Sequence, residues 1–201
     1  IKKALFYLDI PQFLTPTREA DDLIAALAYR ESKKDLRIRI ISNDKDFMQL
    51  VTDKVSLVTL ATGTVKVDTE YFPDDVVKRY EIPPSLIADY LALIGDSSDG
   101  ISGIEGIGPK TASKILRENG SIRDWFKTIE SIKTTDLIKK KLIDSKEKLI
   151  INKKLVSLKS SQGIEIQPVF FDSNELTESS EIIFDKYEMK KIRPRDFLVC
   201  V

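Results

Sequence analysis

The sequence predicts an α/β protein, in which a mostly parallel sheet with helices precedes a mainly helical region. Short apolar segments alternate with helical patterns over about the first 70 residues, which is the arrangement that parallel sheets require. Beyond that point the apolar residues recur almost only at helical spacing. The chain has 201 residues, of which 42% are hydrophobic, enough for a substantial core.

Apolar spacing and the residues that begin and end elements place the helices and strands. In the predicted helix 18–32, Leu23, Ile24 and Leu27 form an apolar stripe and Thr17 is the N-cap. Helices are predicted at 1–8, 18–32, 45–51, 70–80, 84–95, 109–119, 122–129, 135–142, 145–158 and 179–191. Strands are predicted at 10–14, 37–41, 55–60, 64–67 and 168–171, with a hairpin turn at 61–63. Aromatic residues are assigned to the core, namely Tyr7, Tyr29, Phe47, Tyr90, Trp125 and Phe126.

Composition excludes several classes of protein. Cys200 is the only cysteine, so a disulfide framework is excluded and a reducing, intracellular compartment is expected. No apolar run reaches the roughly 18 residues of a membrane span. Basic and acidic residues number 32 each, but the segment Lys127–Lys159 holds ten lysines against four acidic residues. That segment is either a surface that follows a phosphate backbone or simply a solvated helical face.

Acidic residues cluster at the ends of three predicted elements. Each cluster alone has an ordinary explanation, because carboxylates stabilise helix N-termini and cap turns. Asp44 and Asp46, however, come directly after the strand 37–41, at the sheet edge where α/β proteins bind ligands. Asp96 and Asp99 end an apolar helix. The seven candidate residues are Glu19, Asp21, Asp22, Asp44, Asp46, Asp96 and Asp99.

If these carboxylates converge, they repel one another unless cations lie between them. Oxygen ligands suit Mg²⁺ or Mn²⁺, and a chain with no His and one Cys argues against zinc. Two divalent ions about 4 Å apart are the standard arrangement for in-line attack of water on a phosphodiester. The seven residues are therefore predicted to be both metal ligands and catalytic groups of a two-ion site.

The segment after Asp99 alternates glycine with isoleucine. Glycine permits positive φ and close approach of a ligand to the backbone, while the isoleucines anchor the turn in a core. Pro109 suits the first turn of a helix, whose free N–H groups attract an anion. This pattern indicates the hairpin of a helix-hairpin-helix element; the alternative is an ordinary turn between two packed helices. The predicted phosphate-binding residues are Ser102, Gly103, Gly106, Gly108, Lys110 and Thr111.

Three motifs, in this order and spacing, resemble those of the structure-specific 5′ nucleases: R-E-A-D-D, S-N-D-K-D and Y-L-A-L-I-G-D-S-S-D-G-I-S-G-I-E-G-I-G-P-K-T-A. The most similar members are the 5′–3′ exonuclease domain of bacterial DNA polymerase I and the phage flap endonucleases. The similarity runs from Leu8 to Leu116 and more loosely to Leu158. It implies a PIN-like nuclease core, two Mg²⁺ or Mn²⁺ ions, and a hairpin (Ser102–Gly108) that binds a duplex phosphate, in this family often with K⁺ held by backbone carbonyls.

The resemblance also assigns roles residue by residue. Glu19, Asp21 and Asp22 would serve the first metal ion. The second would be served by Asp44, Asp46, Asp96 and Asp99, some of them through water.

The chain departs from the family pattern in two ways. Gly100 stands where relatives usually have Asn, and Ser102 where they usually have Pro, which loosens the hairpin. The family also begins with an Asp-Gly strand, a further metal-binding Asp and a basic helical arch. None of these is found here, so we expect the N-terminal strand or strands to be missing from this chain.

The resemblance predicts three parts: a remainder of the nuclease core at 1–80, a helical DNA-binding region at 81–160, and a strand and helix at 161–201 that pack back on the core. The predicted function is a Mg²⁺-dependent 5′–3′ exonuclease or flap endonuclease that hydrolyses DNA in replication or repair. The first alternative is a non-catalytic DNA-binding fragment or subunit that needs the missing N-terminal part, and the second is an RNA-cleaving relative. We expect a monomer in the cytoplasm or an organelle nucleoid. Its expected partner is duplex or flapped DNA, a polymerase is a further candidate partner, and no membrane is expected.

Overall fold

The computed structural model describes Leu5, residues 10–62, 67–125 and 132–158, Ile164, Ile166 and residues 168–169. Its elements are β1 (Gln12–Phe13), α1 (Ala20–Ser32), β2 (Ile38–Ile41), a first 3₁₀ helix (Lys45–Leu50), β3 (Val55–Thr59), β4 (Thr69–Tyr71), α2 (Pro73–Tyr80), a second 3₁₀ helix (Pro84–Leu86), α3 (Ile87–Ile94), β5 (Gly95–Asp96), β6 (Ile101–Ser102), α4 (Pro109–Asn119), α5 (Ile122–Trp125), α6 (Asp136–Asp144), α7 (Lys146–Val156) and β7 (Pro168–Val169).

The chain divides into two compact units, a smaller one made of residues 1–23 and 164–201 and a larger one made of residues 24–163. In the smaller unit β1 pairs with β7 in antiparallel fashion, and Gln12 lies opposite Val169. The larger unit contains the remaining strands and the helices from α2 onward. The predicted division into three parts stays a prediction.

The larger unit contains a three-stranded sheet in the order β2–β3–β4. β2 and β3 are parallel, with Ile40 opposite Leu57, whereas β4 runs antiparallel to β3, with Tyr71 opposite Leu57. The α/β class is confirmed, but this sheet is mixed rather than mostly parallel. The difference arises because β4 returns to β3 after a short connection, and a parallel return would need a crossover of a dozen or more residues.

The segment between β3 and α2 differs most from the prediction. Of the strand expected at 64–67 only Val67 is described, and it lies outside a strand; the strand that pairs with β3 is Thr69–Tyr71, and the helix expected from residue 70 begins at Pro73. Phe72 has extended backbone, because a residue that precedes proline is disfavoured in the helical region. Residues 63–66 lie outside the described part of the chain, as do the predicted helix 179–191 and, except for the helical Leu5, the predicted helix 1–8.

The core of the larger unit is organised around α3. All residues of α3 from Ile87 to Leu93 are buried, and the helix packs against α4 and α7. A helix that is enclosed on all sides cannot shift without disturbing its neighbours, so the residues that follow it start from a fixed point. The predicted core positions of Phe47, Tyr90 and Trp125 are confirmed, and the Trp125 indole N–H donates to the Asn119 carbonyl at 3.1 Å. Of the other three, Tyr29 is half-buried, while Tyr7 and Phe126 lie outside the described residues.

No helix within the described residues has the length and apolar character that crossing a membrane requires.

Candidate metal centre and phosphate-binding hairpin

Three of the seven predicted carboxylates converge in the larger unit. One oxygen of each of Asp46, Asp96 and Asp99 lies within 4.8 Å of the other two. Asp46 is in the first turn of the first 3₁₀ helix, directly after β2. Asp96 is in β5, directly after the enclosed helix α3, and Asp99 is in the turn that follows. Two segments that are fifty residues apart in the chain therefore present carboxylates to one point.

Asp44 does not belong to this group. It is the N-cap of the first 3₁₀ helix, and its Oδ1 accepts the backbone N–H of Asp46 at 2.9 Å. Its own N–H donates to the Ser42 hydroxyl at 3.1 Å. Asp44 therefore has the capping role that was the ordinary explanation for this cluster. Its cap fixes the first turn of the 3₁₀ helix, which contains Asp46.

Asp46 is the member whose electrostatic environment is most perturbed. Its Oδ1 is buried and is the one described buried side-chain oxygen or nitrogen that has no hydrogen-bond partner. The pKa of Asp46 is raised to about 7, chiefly by burial and further by the neighbouring carboxylates Asp44 and Asp96, while Lys45 opposes the shift. Because a buried oxygen without a partner is unfavourable, this atom is suited to a cation.

Asp96 is held by contacts on both of its oxygens. Its side chain is 2% exposed. Oδ1 accepts the backbone N–H of Ser98 at 3.0 Å and also the Ser98 hydroxyl, while Oδ2 accepts the Lys45 ammonium at 2.8 Å. Burial alone would raise the pKa of Asp96, but Lys45 and Ser98 together outweigh burial and hold the pKa below its usual value. Asp96 is therefore ionised at neutral pH.

The donor set fits a divalent cation. All three groups offer carboxylate oxygens, which suit Mg²⁺ and Mn²⁺ and are poor ligands for soft metals. The partnerless oxygen of Asp46 would gain the contact that it lacks. The ligand roles themselves remain predictions.

The remaining predicted carboxylates belong to the smaller unit. Glu19 is exposed and directly precedes α1, and the half-buried Asp21 and Asp22 lie in the first turn of that helix. This is the position at which acidic side chains interact favourably with the helix dipole. Their assignment to a first metal ion stays a prediction.

The glycine-rich segment forms a hairpin between α3 and α4. β5 and β6 pair in antiparallel fashion, with Gly95 opposite Ser102. Gly95 has a φ of +80°, and a Cβ on it would lie 2.3 Å from the Gly103 nitrogen. A Cβ on Gly103 would lie 2.3 Å from the carbonyl carbon of Ile94. Since no side chain fits at such distances, the hairpin can cross the end of α3 only with glycine at both positions.

The hairpin is held by side chains from α6 and α7. The donors and their carbonyl acceptors are Lys141 Nζ to Glu105 (2.9 Å), Lys148 Nζ to Gly103 (2.8 Å) and Asn152 Nδ2 to Ser102 (2.9 Å). Asn152 is buried and also donates to the carbonyl of Ala92, at the end of α3, at 3.0 Å. Part of the positive charge in the segment Lys127–Lys159 therefore supports the hairpin rather than forming a free surface.

The hairpin leads into an open helix N-terminus. Gly108 is the N-cap of α4, no side chain caps the helix, and Pro109 is its first residue. A Cβ on Gly108 would have no heavy atom within 4 Å, so packing does not explain the glycine, whereas close approach of a ligand would. A cleft of about 560 Å³ adjoins this end of the helix, and basic and hydroxyl side chains line much of it, including Lys110, Thr111, Lys114, Lys133, Thr134 and Thr135. The free N–H groups and the helix dipole favour an anion here.

Several residues of the site were not predicted from the sequence. Lys45 lies between two predicted carboxylates, and this position in the sequence could have identified it as part of the site. Gly95, at the junction of α3 and Asp96, could have been inferred from its place between a helix and a turn. The roles of Lys148 and Asn152 have no local signal, because each contacts residues at least 45 positions away.

A carboxylate centre suited to hard cations, followed closely in the chain by an open helix N-terminus, is the arrangement expected of a protein that acts on phosphodiesters. Two family models match the chain. The 5′-3′ exonuclease N-terminal resolvase-like domain matches residues 1–81, and the 5′-3′ exonuclease C-terminal SAM fold matches residues 82–179. The chain belongs to the 5′–3′ exonuclease family, as the three sequence motifs predicted.

Curated relatives and solved structures agree with this assignment. The 5′-3′ exonuclease of Aquifex aeolicus is 38% identical over 151 residues, which are 75% of this chain and 50% of the relative. The thermostable DNA polymerase I of Thermus filiformis is 37% identical over 140 residues, which are 70% of this chain and 16% of the polymerase. A structure of the bacteriophage T5 flap endonuclease, in a pseudo-enzyme-product complex with DNA and metal ions, has a TM-score of 0.65 and 29% identity, and the match covers 78% of this chain and 56% of the phage protein. The chain thus matches about half the length of the Aquifex relative and a smaller share of the polymerase.

Proposed function

We propose that the chain is part of a metal-dependent, structure-specific 5′ nuclease, a 5′–3′ exonuclease or flap endonuclease that hydrolyses DNA phosphodiesters. The convergence of Asp46, Asp96 and Asp99, with a buried oxygen that lacks a partner, is the observation that carries the proposal. Membership in the 5′–3′ exonuclease family supports it, as does the likeness to a phage protein whose structure contains DNA and metal ions.

The carboxylates would bind two divalent ions, three carboxylates to each ion. Such ions activate water and neutralise charge in in-line attack on a phosphodiester. Asp46, Asp96 and Asp99 would hold one ion, and Asp44 would position Asp46 through its cap on the first 3₁₀ helix. The other ion would be held by Glu19, Asp21 and Asp22. The carboxylate of Asp96 is buried, and the two hydrogen bonds from Ser98 to its Oδ1 keep it in one orientation.

The hairpin and the start of α4 would bind the backbone of duplex DNA. The open surface at Gly108 and the positive charge of Lys110 suit a phosphate, and contacts of this kind position a protein on DNA without reading its sequence. Of the hairpin carbonyls described above, those of Gly103 and Glu105 already accept lysine ammonium groups. A K⁺ ion at the hairpin, which the family resemblance implies, would therefore have to use other carbonyls.

The test is cleavage of a duplex that carries a 5′ flap, with Mg²⁺ and with EDTA. The wild-type chain is compared with Asp96→Asn, which removes a charge from the centre, and with Asp53→Asn, which removes the same charge from an exposed turn before β3. We expect wild type and Asp53→Asn to cut only with Mg²⁺, and Asp96→Asn to bind the duplex without cutting it.

The same assay distinguishes a nuclease from the alternative of a non-catalytic DNA-binding fragment. If the wild-type chain binds the flap duplex tightly but never cuts it, the chain is a DNA-binding fragment whose activity needs a further part. If it neither binds nor cuts, the proposal is refuted.

A further inference from the structure

Lys45 lies at the carboxylate centre but has no role in the proposed function so far. It is the first residue of the first 3₁₀ helix, between Asp44 and Asp46. Its ammonium lies 2.8 Å from Oδ2 of Asp96, and its side chain is nevertheless 44% exposed. A long, partly exposed side chain thus places a positive charge on the most enclosed carboxylate of the centre.

Of the two oxygens of Asp96, Oδ2 is the one that is less occupied and more open to a metal ion. Oδ1 is held by the backbone N–H and the hydroxyl of Ser98, two residues further along the same turn. Oδ2 is held by Lys45 alone among the described contacts. A divalent ion that binds Oδ2 therefore meets the Lys45 ammonium at the same oxygen, whereas an ion on Oδ1 would compete with two contacts from the same turn. The lysine is the partner that can move, because its side chain reaches solvent and its four-carbon stem has many rotamers.

Repulsion between the two cations points the same way. Three carboxylates and one ammonium leave the centre negative, so a cation is attracted to it. Once a divalent ion is bound, however, an ammonium at the same oxygen is repelled twice as strongly as by a single charge at that distance. The divalent ion and the ammonium therefore oppose each other at Oδ2 of Asp96.

We propose that Lys45 is a tethered counter-ion of the metal centre: its ammonium holds Asp96 until a divalent ion displaces it, and it then binds a phosphate of the nucleic acid at the mouth of the site. This inference rests on the proposed function, since it assumes that the centre binds divalent ions. It makes Lys45 a residue whose contact with substrate exists only in the metal-loaded protein.

The first experiment measures metal affinity without any turnover. Mn²⁺ is titrated calorimetrically into wild type, Lys45→Met and Lys45→Arg, with Lys54→Met as the matched control. Lys54 is exposed to a similar extent (46%) and pairs with the carboxylate of Asp35 at 2.7 Å, which is not part of the centre. We expect Lys45→Met to bind Mn²⁺ about tenfold more tightly than wild type, because the competing ammonium is gone. Lys54→Met should match wild type, and Lys45→Arg should not bind more tightly than wild type.

The second experiment measures affinity for a 5′-flap duplex by fluorescence anisotropy, in EDTA and with Ca²⁺. In EDTA the ammonium is held by Asp96, so Lys45→Met should bind the duplex as well as wild type. With Ca²⁺ the lysine is released, so Lys45→Met should bind the duplex several-fold more weakly, and Lys45→Arg should retain the wild-type affinity. A purely structural role for Lys45 would instead lower the affinity equally in both buffers.

The outcomes are distinct. Mn²⁺ affinity of Lys45→Met equal to or weaker than that of wild type overturns the displacement, and so does a loss of duplex affinity that is the same with and without Ca²⁺. Circular dichroism on each variant identifies any loss of fold. If Lys45→Met does not fold, Lys45→Arg is compared with wild type instead. If wild type itself binds no Mn²⁺, the proposed function fails first and this inference fails with it.

Discussion

Replacing Asp46 with Asn should stabilise the metal-free protein, and the gain should grow as the pH rises. The folded-state pKa of Asp46 is raised to about 7 from a usual value of 3.8, because the group is buried and lies near other carboxylates. A raised carboxyl pKa means that the folded protein holds a proton which the unfolded chain has released. The contribution of Asp46 to stability is therefore complete below about pH 4 and is lost as the pH rises towards 7. Asparagine stays neutral at every pH and avoids this loss.

The magnitude follows from one proton. Between pH 5 and pH 7 the folded protein binds about one proton more than the unfolded chain, which lowers the free energy of unfolding by at most about 2.7 kcal/mol. Partial exposure of Asp46 reduces this effect, so we expect a loss of about 2 kcal/mol between pH 5 and pH 8. The lowered pKa of Asp96 acts in a separate window, since its contribution is present above its usual pKa and is lost only in stronger acid.

Urea unfolding in EDTA at pH 5, 6, 7 and 8 measures the effect. The background is unusually simple, because the chain has no histidine and no imidazole titrates in this range. The α-amino group does titrate there, but equally in every variant, so it cancels. Asp53→Asn is the control for removing an exposed negative charge.

Two results would refute the reasoning. One is a wild-type free energy of unfolding that is constant from pH 5 to pH 8. The other is a pH-dependent gain in Asp53→Asn as large as that in Asp46→Asn. In the expected case, added Mg²⁺ should reduce the difference between wild type and Asp46→Asn at pH 8, because the ion supplies the charge that the proton supplied at low pH.

Three further predictions concern the hairpin and its supports. Asn152→Leu should lower the free energy of unfolding by about 3 kcal/mol in urea titrations, because two carbonyls lose their donor inside the protein; a loss below about 1 kcal/mol would contradict the described contacts. Gly103→Ala should cost more than about 3 kcal/mol or prevent folding, since its Cβ would overlap backbone, whereas Gly108→Ala should cost at most about 1 kcal/mol yet weaken duplex binding in an anisotropy titration. Equal stability of the two alanine variants would be inconsistent with the hairpin geometry. Lys110→Ala should weaken duplex binding to all sequences alike and reduce the slope of log affinity against log salt by about 1, whereas Lys154→Ala, on an exposed part of α7, should change neither.

The carboxylates of the centre could be predicted from the sequence, but their counter-ion could not. Asp46 and Asp96 stand where local rules place ligands, after a strand and after an apolar helix. The contact of Lys45 with Asp96 joins residues that are 51 positions apart, and only the packing of α3 against the first 3₁₀ helix brings them together. From the sequence alone, a lysine between two aspartates would be predicted to pair with those two aspartates.

The separate roles of the glycines also could not be predicted from the local sequence. The sequence predicts that the segment needs glycine, yet it treats Gly103 and Gly108 alike. In the structure Gly103 is required by the carbonyl of Ile94, whereas Gly108 faces open space. Which glycine serves packing and which leaves room for a ligand depends on what lies opposite, and that is a tertiary property. The start of α2, by contrast, can be predicted from neighbouring residues, because Pro73 favours both an extended Phe72 and a helix that begins at residue 73.

The contacts of α7 have a consequence for how the protein is made. The side chain of Gln49, in the first 3₁₀ helix, donates to the Val156 carbonyl and accepts the Leu158 N–H, each at 2.9 Å and more than 100 positions away in the chain. During synthesis both the carboxylate centre and the hairpin leave the ribosome well before the helix that braces them, and contacts of such long sequence separation form slowly. A nascent chain that stops short of α7 carries all seven candidate carboxylates but lacks the contacts that α7 makes with the first 3₁₀ helix and the hairpin. We therefore expect the first 3₁₀ helix, which presents Asp46, to be fully supported only once residue 158 has been made.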